Sequence, residues 1–213
     1  MLSGTEIVVE YVNRLNQQSS SSSMYRTSIE KAGHFCLISV TKNEIKSVIE
    51  PYLYEWGRMG RVLGRVKYIN WREDLMVGII SNSQLLEDYR KKTLSETELS
   101  FCKPNIETLY TSFSQSLGPI GAAKVLHLIC PAFFPLWDTK IAVAARKERS
   151  TSDRSIVDFS ADDYYRFTEQ VLDVIVRYNE VISTMATRYG KTKVRIVDEC
   201  FWWATQRPLS LIL

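Results

Sequence analysis

The chain has 213 residues and a mass of 24.6 kDa, and 45% of its residues are hydrophobic. This length and composition are those of a globular protein with a sizeable core, folded as one domain or as two lobes that share an interface. No apolar run approaches the roughly 20 residues that span a bilayer, and the N-terminus does not resemble a secretory signal, so we expect a soluble protein without a membrane partner. A net charge of +3 is too small to identify a nucleic-acid partner by itself.

The cysteines indicate a reducing compartment. They lie far apart in apolar surroundings and form no CxxC pair, which predicts reduced core thiols and a cytoplasmic location. They are Cys36, Cys102, Cys130 and Cys200. With two histidines in the chain, no metal-ligand spacing is visible, so we expect neither a metal nor another cofactor.

The first predicted elements are helical. Residues 5–16 have an amphipathic helical pattern, and the serine-rich residues 17–23 predict a mobile loop. Thr41 and Glu44 have the spacing of a capping box, which predicts a helix from about Lys42.

The next notable segment carries arginines at helical spacing. Arg58, Arg61 and Arg65 fall at i, i+3 and i+7, so on one helix they form a cationic stripe. The apolar residues of the same segment are then expected to face the core: Met59, Val62, Leu63 and Val66. The stripe is suited to contact with phosphates, and a solvated charged face is the alternative interpretation.

A helix, a turn and a second helix are predicted in the middle of the chain. Ser95 and Glu98 have the spacing of another capping box. Residues 109–117 are the predicted end of a helix, the sequence Gly-Pro-Ile-Gly at 118–121 a turn, and residues 122–130 a helix that Pro131 ends. Such a turn presents backbone N–H groups of Gly118, Ile120 and Gly121 that favour a phosphate.

A short connection then leads to an aspartate. Residues 131–135 join the second helix to Asp138, whose carboxylate is suited to cap a helix from Thr139 to about Arg146. Arg146 and Lys147 belong to a basic cluster beyond this carboxylate, which suits either a DNA backbone or a solvated surface.

The remaining pattern completes an all-α prediction. Ser160 and Asp163 form a third capping-box pattern, ahead of a long helical run from Tyr164 to about Arg188 that Gly190 ends. Strand signals are weak, because the short apolar runs lack hairpin turns.

The residues from about 112 to 146 resemble the helix-hairpin-helix DNA glycosylases of base-excision repair. The resemblance rests on the glycine hairpin, the helix after it and the sequence Pro-Leu-Trp-Asp at 135–138. It implies one glycosylase-like domain over residues 1–213, with two interlocked helical lobes, the characteristic elements at about 109–146, and double-stranded DNA as partner. It also implies that Asp138 stabilises positive charge on the deoxyribose and that Lys124 attacks the sugar in a bifunctional enzyme.

Two departures from the family pattern concern the catalytic lysine and the cofactor. The hairpin reads Gly-Pro-Ile-Gly instead of Pro-Gly-Ile-Gly, and an ungapped alignment on Gly121 places Ala123, one helical residue before Lys124, at the lysine position. The C-terminal four-cysteine cluster of the iron–sulfur branch is missing, so we expect no such cofactor.

Two further residues are candidates for a pocket that holds an everted base. Trp137 adjoins Asp138, and His127 lies three residues after Lys124. A core tryptophan and a buried histidine are the competing interpretations.

Three functions are compatible with these residues. The first is a glycosylase, alone or with Schiff-base lyase activity, in which a fixed carboxylate and a neutral amine do the chemistry. The second is a noncatalytic helix-hairpin-helix module that holds DNA within a larger assembly. The third is a helical interaction protein, for which residues 118–121 would be buried in packing.

Overall fold

The described part of the chain is all-helical. The computed structural model describes residues 8–10, 13–14, 21–141 and 159–205, and these residues contain no strand. The all-α prediction is therefore confirmed for the described residues. Residues 8–10 and 13–14 are helical, in agreement with the first predicted element, whose other residues lie outside the described ranges.

The helices are numbered α1 to α9 in chain order. They are α1, Ser21–Gly33; α2, residues 42–56; α3, Gly60–Leu63; α4, Trp71–Ser81; α5, Ser83–Arg90; α6, Lys103–Ile129; α7, Ala161–Arg177; α8, Asn179–Tyr189; and α9, Lys193–Ala204. Short 3-10 turns lie between them at Leu37–Ser39, Val66–Tyr68, Leu94–Glu96 and Leu99–Cys102. In α2, two π-helical turns, Ile45–Ile49 and Tyr52–Trp56, follow the α-helical start.

Two of the predicted capping boxes are present. The Glu44 N–H donates to Thr41 Oγ1 over 3.2 Å, and the Thr41 N–H donates back to Glu44 Oε2 over 2.7 Å. Ser160 and Asp163 make the same reciprocal pair at the start of α7. Each pair satisfies two backbone N–H groups at a helix start, which explains why α2 and α7 begin where the sequence predicts.

Several element predictions need correction. Ser95 lies in a 3-10 turn and caps no helix, and Ser21 to Ser23 belong to α1 instead of a loop. The long run after Ser160 divides at Tyr178, whose backbone leaves the helical region, so that α7 and α8 both pack against α9. Gly190 adopts φ 60° and ψ 44° at the end of α8, which confirms it as the left-handed helix cap.

Helix α6 is the centre of the core. It packs against α1, α4, α5 and α7, and most of its second half is buried. Its Tyr110 stacks on Tyr164 of α7 with ring centroids 4.4 Å apart and planes 11° from parallel. Gly78 of α4 allows the Phe113 ring of α6 to approach closely, because a Cβ at Gly78 would lie 3.3 Å from it. Helices α4 and α7 are therefore packed closely against α6.

Three of the four cysteines are buried. Cys102, Cys130 and Cys200 are buried thiols as predicted, whereas Cys36 is exposed. In the ranges that the structure describes, no helix has the length and apolar character needed to cross a membrane.

Candidate active site

The predicted turn is a single-residue break in α6. Gly118 has φ 72° and ψ 168°, a conformation open essentially to glycine alone, and Pro119 begins the second half of the helix. The turn is thus shorter than predicted, because Pro119, Ile120 and Gly121 are already helical. Proline fits a first helical position, where its missing N–H leaves no helical hydrogen bond unmade.

Both glycines of the predicted turn, Gly118 and Gly121, are covered by residues from the segment 57–70. A Cβ at Gly118 would lie 2.8 Å from the Tyr68 hydroxyl, and one at Gly121 would lie 3.1 Å from Met59 Cε. Gly118 and Gly121 are buried and Ile120 is partly exposed, so the turn does not present the backbone of its glycines outward as expected. Burial of the two glycines is what the third interpretation, a helical interaction protein, predicts for this turn. The physical reason is the close packing of Tyr68 and Met59 against them.

Lys124 lies nearly two turns after Gly118 and is half-buried, and its ammonium donates to the Gly57 carbonyl over 2.5 Å. Burial lowers the pKa of Lys124 to about 8, and the carboxylate of Asp138 acts in the opposite direction. Ala123, the other residue considered for the lysine position, is completely buried. The contact with Gly57 joins α6 to the arginine segment.

Asp138 caps a helix, as its position in the sequence predicts. Its Oδ1 accepts the Ile141 N–H over 2.8 Å, and residues 139–141 are helical. The side chain is half-buried and near enough to Lys124 for its charge to act on the ammonium. The connection between α6 and Asp138 therefore places a carboxylate within electrostatic reach of the Lys124 amine.

Trp137 and His127 lie in the core, not on an accessible pocket wall. Trp137 is 3% exposed and meets the rings of Phe159, Tyr164 and Phe167 edge-on. Packing on all these rings corrects the prediction that Trp137 faces an everted base.

His127 is fully buried, and both of its ring nitrogens are engaged. Nδ1 lies 2.7 Å from the Phe134 carbonyl and Nε2 lies 2.6 Å from the Tyr25 hydroxyl. Burial lowers the pKa of His127 to about 3. This satisfied core histidine corrects the prediction of a base-pocket residue.

The arginines do not share one helix. The helix between them is the short α3, with Arg58 before it at φ 52° and Arg65 after it. Val66 is 86% exposed instead of facing the core, since the chain turns after Gly64. Arg58, Arg61 and Arg65 are nevertheless all exposed, and no carboxylate of the described ranges lies within ion-pair distance of them.

The second predicted basic cluster lies outside the part of the chain that the structure describes. It contains Arg146 and Lys147.

A buried polar cluster on α9 is not among the features that the sequence predicts. The Arg195 guanidinium lies 4.8 Å from the Tyr25 ring centroid and pairs with Glu199 at 3.1 Å, while Asp198 is 1% exposed. The signal in the sequence is three charged residues at i, i+3 and i+4 within the apolar stretch VRIVDECFWW. Buried charges are uncommon unless they are paired, so such a set marks a specific internal contact.

No three His, Cys, Asp or Glu side chains of the described ranges are grouped to hold a metal ion. Comparison with protein-family models, with curated proteins and with solved structures finds no match for this chain.

Proposed function

We propose that the chain is a DNA-binding base-excision glycosylase, alone or with Schiff-base lyase activity, that removes a damaged or mismatched base. The glycosylase-like arrangement of two helical lobes is part of this proposal. One observation carries it: the exposed arginine segment is fixed onto the helix break beside Lys124 and Asp138. Tyr68 packs on Gly118, Met59 packs on Gly121, and the Gly57 carbonyl accepts from Lys124.

The arginine segment supplies the charge that a DNA backbone requires. Arg58, Arg61 and Arg65 project from one short segment, and neutralising phosphates with such side chains releases counterions and drives association. Gly118, Gly121 and Lys124 of α6 hold this segment in place beside the amine.

The carboxylate suits the breaking of an N-glycosidic bond. The transition state carries positive charge on the sugar, and a fixed negative charge next to it is worth most where water is excluded. Asp138 is half-buried and held by its hydrogen bond with Ile141. The negative charge of the Asp138 carboxylate is therefore held in position by the Ile141 N–H before any substrate binds.

The amine suits Schiff-base chemistry at the same sugar carbon. A lysine attacks as the neutral amine, and a pKa of about 8 leaves part of Lys124 in that form near neutral pH. Attack requires the Lys124 nitrogen to lose a proton, since the ammonium that donates to the Gly57 carbonyl has no free lone pair.

The same hydrogen bond favours a second candidate function, a noncatalytic module that holds DNA. In that case Lys124 only fastens the arginine segment to α6, and Asp138 only caps a helix. This function needs the exposed arginines and no reacting group.

A panel of duplexes, each with a single damaged or mismatched base, distinguishes the glycosylase from the noncatalytic module. Base release and strand scission are scored independently after incubation with the purified protein. Release from at least one duplex supports the glycosylase, and scission at the same site adds the lyase activity. Salt-dependent binding without release from any duplex supports the noncatalytic module instead.

A further inference from the structure

The connection between α6 and Asp138, residues 130–138, is held by buried polar side chains of three helices. His127 of α6 donates to the Phe134 carbonyl over 2.7 Å, and the Tyr164 hydroxyl of α7 donates to the Pro135 carbonyl over 2.9 Å. The Leu136 N–H then donates to Asp198 Oδ1 of α9 over 3.0 Å. Three successive residues of the connection are thus each bound by a different helix.

The role of His127 in this set follows from its partners. A carbonyl oxygen only accepts, so Nδ1 carries the proton that Phe134 receives, and Nε2 accepts from the Tyr25 hydroxyl. The imidazole is neutral, because burial lowers the pKa of His127 to about 3. The Asp198 carboxyl lies 3.8 Å from Nδ1, beyond hydrogen-bond distance. His127 therefore acts as a fixed donor with a single tautomer.

Of these three side chains, Asp198 has the largest unfavourable free energy of burial, because its carboxyl is ionisable and 1% exposed. Burial raises the pKa of its carboxyl well above the usual range, and the Arg195 guanidinium and the Leu136 N–H act in the opposite direction. Its Oδ2 has no hydrogen-bond partner among the described residues. An apolar side chain in its place would avoid this desolvation, so helix packing alone does not account for an aspartate here.

The rest of the connection is fixed as well. The Thr192 hydroxyl donates to the Pro131 carbonyl over 2.9 Å, and the Leu94 N–H donates to the Ala132 carbonyl over 3.0 Å. Phe133 and Phe134 are completely buried. A plain link between two helices needs far fewer restraints, whereas a reacting group must be held within about 0.5 Å of its working position.

We propose that Asp198, His127 and Tyr164 are positioning residues, which set the place of the Asp138 carboxylate through the backbone of residues 134–136. This inference rests on the proposed glycosylase function. Asp138 follows Leu136 by two residues, so a shift of the backbone at the Leu136 N–H is carried directly to the cap at Ile141.

Asp198→Leu and Asp198→Asn test the inference as a pair. The leucine removes the acceptor of the Leu136 N–H, whereas the asparagine retains one in its amide oxygen. We expect Asp198→Leu to slow single-turnover base release by about a hundredfold, since small displacements of a catalytic group have effects of that size. The Kd for the lesion duplex should not change, and Asp198→Asn should restore the rate.

Backbone amide exchange, measured by NMR, provides a readout that needs no activity. In Asp198→Leu the amide hydrogens of Leu136 and Ile141 should exchange faster than in the parent protein, and in Asp198→Asn both should be protected. If no duplex releases a base with the parent protein, the glycosylase proposal fails, and exchange at Ile141 still decides whether Asp198 holds the Asp138 cap.

Ser116→Ala is the matched control, because the buried Ser116 hydroxyl donates to the Phe113 carbonyl over 3.2 Å within α6, and neither residue belongs to the proposed positioning set. Equal losses of rate in Asp198→Leu and Ser116→Ala would overturn the inference, as would unchanged protection of Ile141 in Asp198→Leu. If Asp198→Leu does not fold, Tyr164→Phe replaces it in both measurements, since it removes only the hydroxyl bound to Pro135. Unchanged rate and exchange in Tyr164→Phe would then overturn the inference.

Discussion

Burial changes the chemistry that is open to Lys124. Its ammonium has lost much of its water and donates to one carbonyl, that of Gly57, so the charged form is less favoured than in solution. Asp138, by contrast, keeps a partly exposed carboxylate that already accepts the Ile141 N–H. The two groups therefore suit different tasks, one as a nucleophile and the other as a fixed negative charge.

Trapping of the Schiff base should depend on pH in a defined direction. The pKa of Lys124 is lowered from 10.5 to about 8, so the amine is protonated below pH 8 and free above it. With lesion duplex and borohydride, the initial rate of covalent trapping should rise as the pH increases through about 8 and then level off.

Lys124→Gln should give no trapped adduct, whereas Lys91→Gln, a change of an exposed lysine, should behave as the parent protein does. An adduct that persists in Lys124→Gln would assign the nucleophile to another amine.

The hydrogen bond of Asp138 is predictable from the sequence, whereas that of Lys124 is not. The cap by Asp138 follows from local rules, because an aspartate before a helix start binds an N–H three residues on. The hydrogen bond between Lys124 and Gly57 joins positions 67 residues apart, so no local pattern indicates it. The neighbours of Trp137 and His127 in the sequence suggest a pocket, but core packing decides where these two side chains lie.

At the scale of elements, the break in α6 determines where the arginine segment is held. Gly118 permits both the change of direction and the close approach of Tyr68. The sequence indicates the break through glycine and proline, yet its length of one residue depends on Tyr68 and Met59, which come from a distant segment. The capping boxes of α2 and α7 are predictable because all of their hydrogen bonds are local.

Gly118→Ala should destabilise the protein. Alanine disfavours φ 72° with ψ 168°, and its Cβ would lie 2.8 Å from the Tyr68 hydroxyl. We expect the free energy of unfolding, measured by urea denaturation, to fall by about 1–3 kcal/mol or more.

Gly33→Ala is the control, because a Cβ at Gly33 meets nothing within 4 Å. If both alanine variants unfolded at the same urea concentration as the parent protein, the break would not be the strained, packed element described above.

At the scale of the whole molecule, the distribution of charge matters more than its sum. The formal net charge is only +3, but Arg58, Arg61 and Arg65 are exposed together on one segment beside Lys124. The helical class of the molecule was predictable from the lack of strand signals, whereas the placing of this segment on α6 required the long-range contacts of the fold.

Replacing the three arginines with alanine should weaken binding to all duplexes alike, since phosphate contacts carry no sequence information. In a titration against salt, the slope of log K against log salt concentration should decrease by about one for each phosphate that the variant no longer neutralises.

The control replaces three exposed lysines elsewhere, Lys31, Lys91 and Lys92, and removes the same charge. Equal loss of affinity in the two triple variants would show that net charge, not the arginine segment, governs binding.

The comparison of Asp138→Asn with the parent protein tests the central claim most directly. Asparagine caps a helix about as well as aspartate, so the Ile141 N–H keeps an acceptor while the negative charge is removed. In single-turnover base release from a duplex that the parent protein cleaves, Asp138→Asn should be slower by about a hundredfold or more, at unchanged thermal stability. Equal rates for the two proteins would contradict the assignment of Asp138 as the charge that stabilises the transition state.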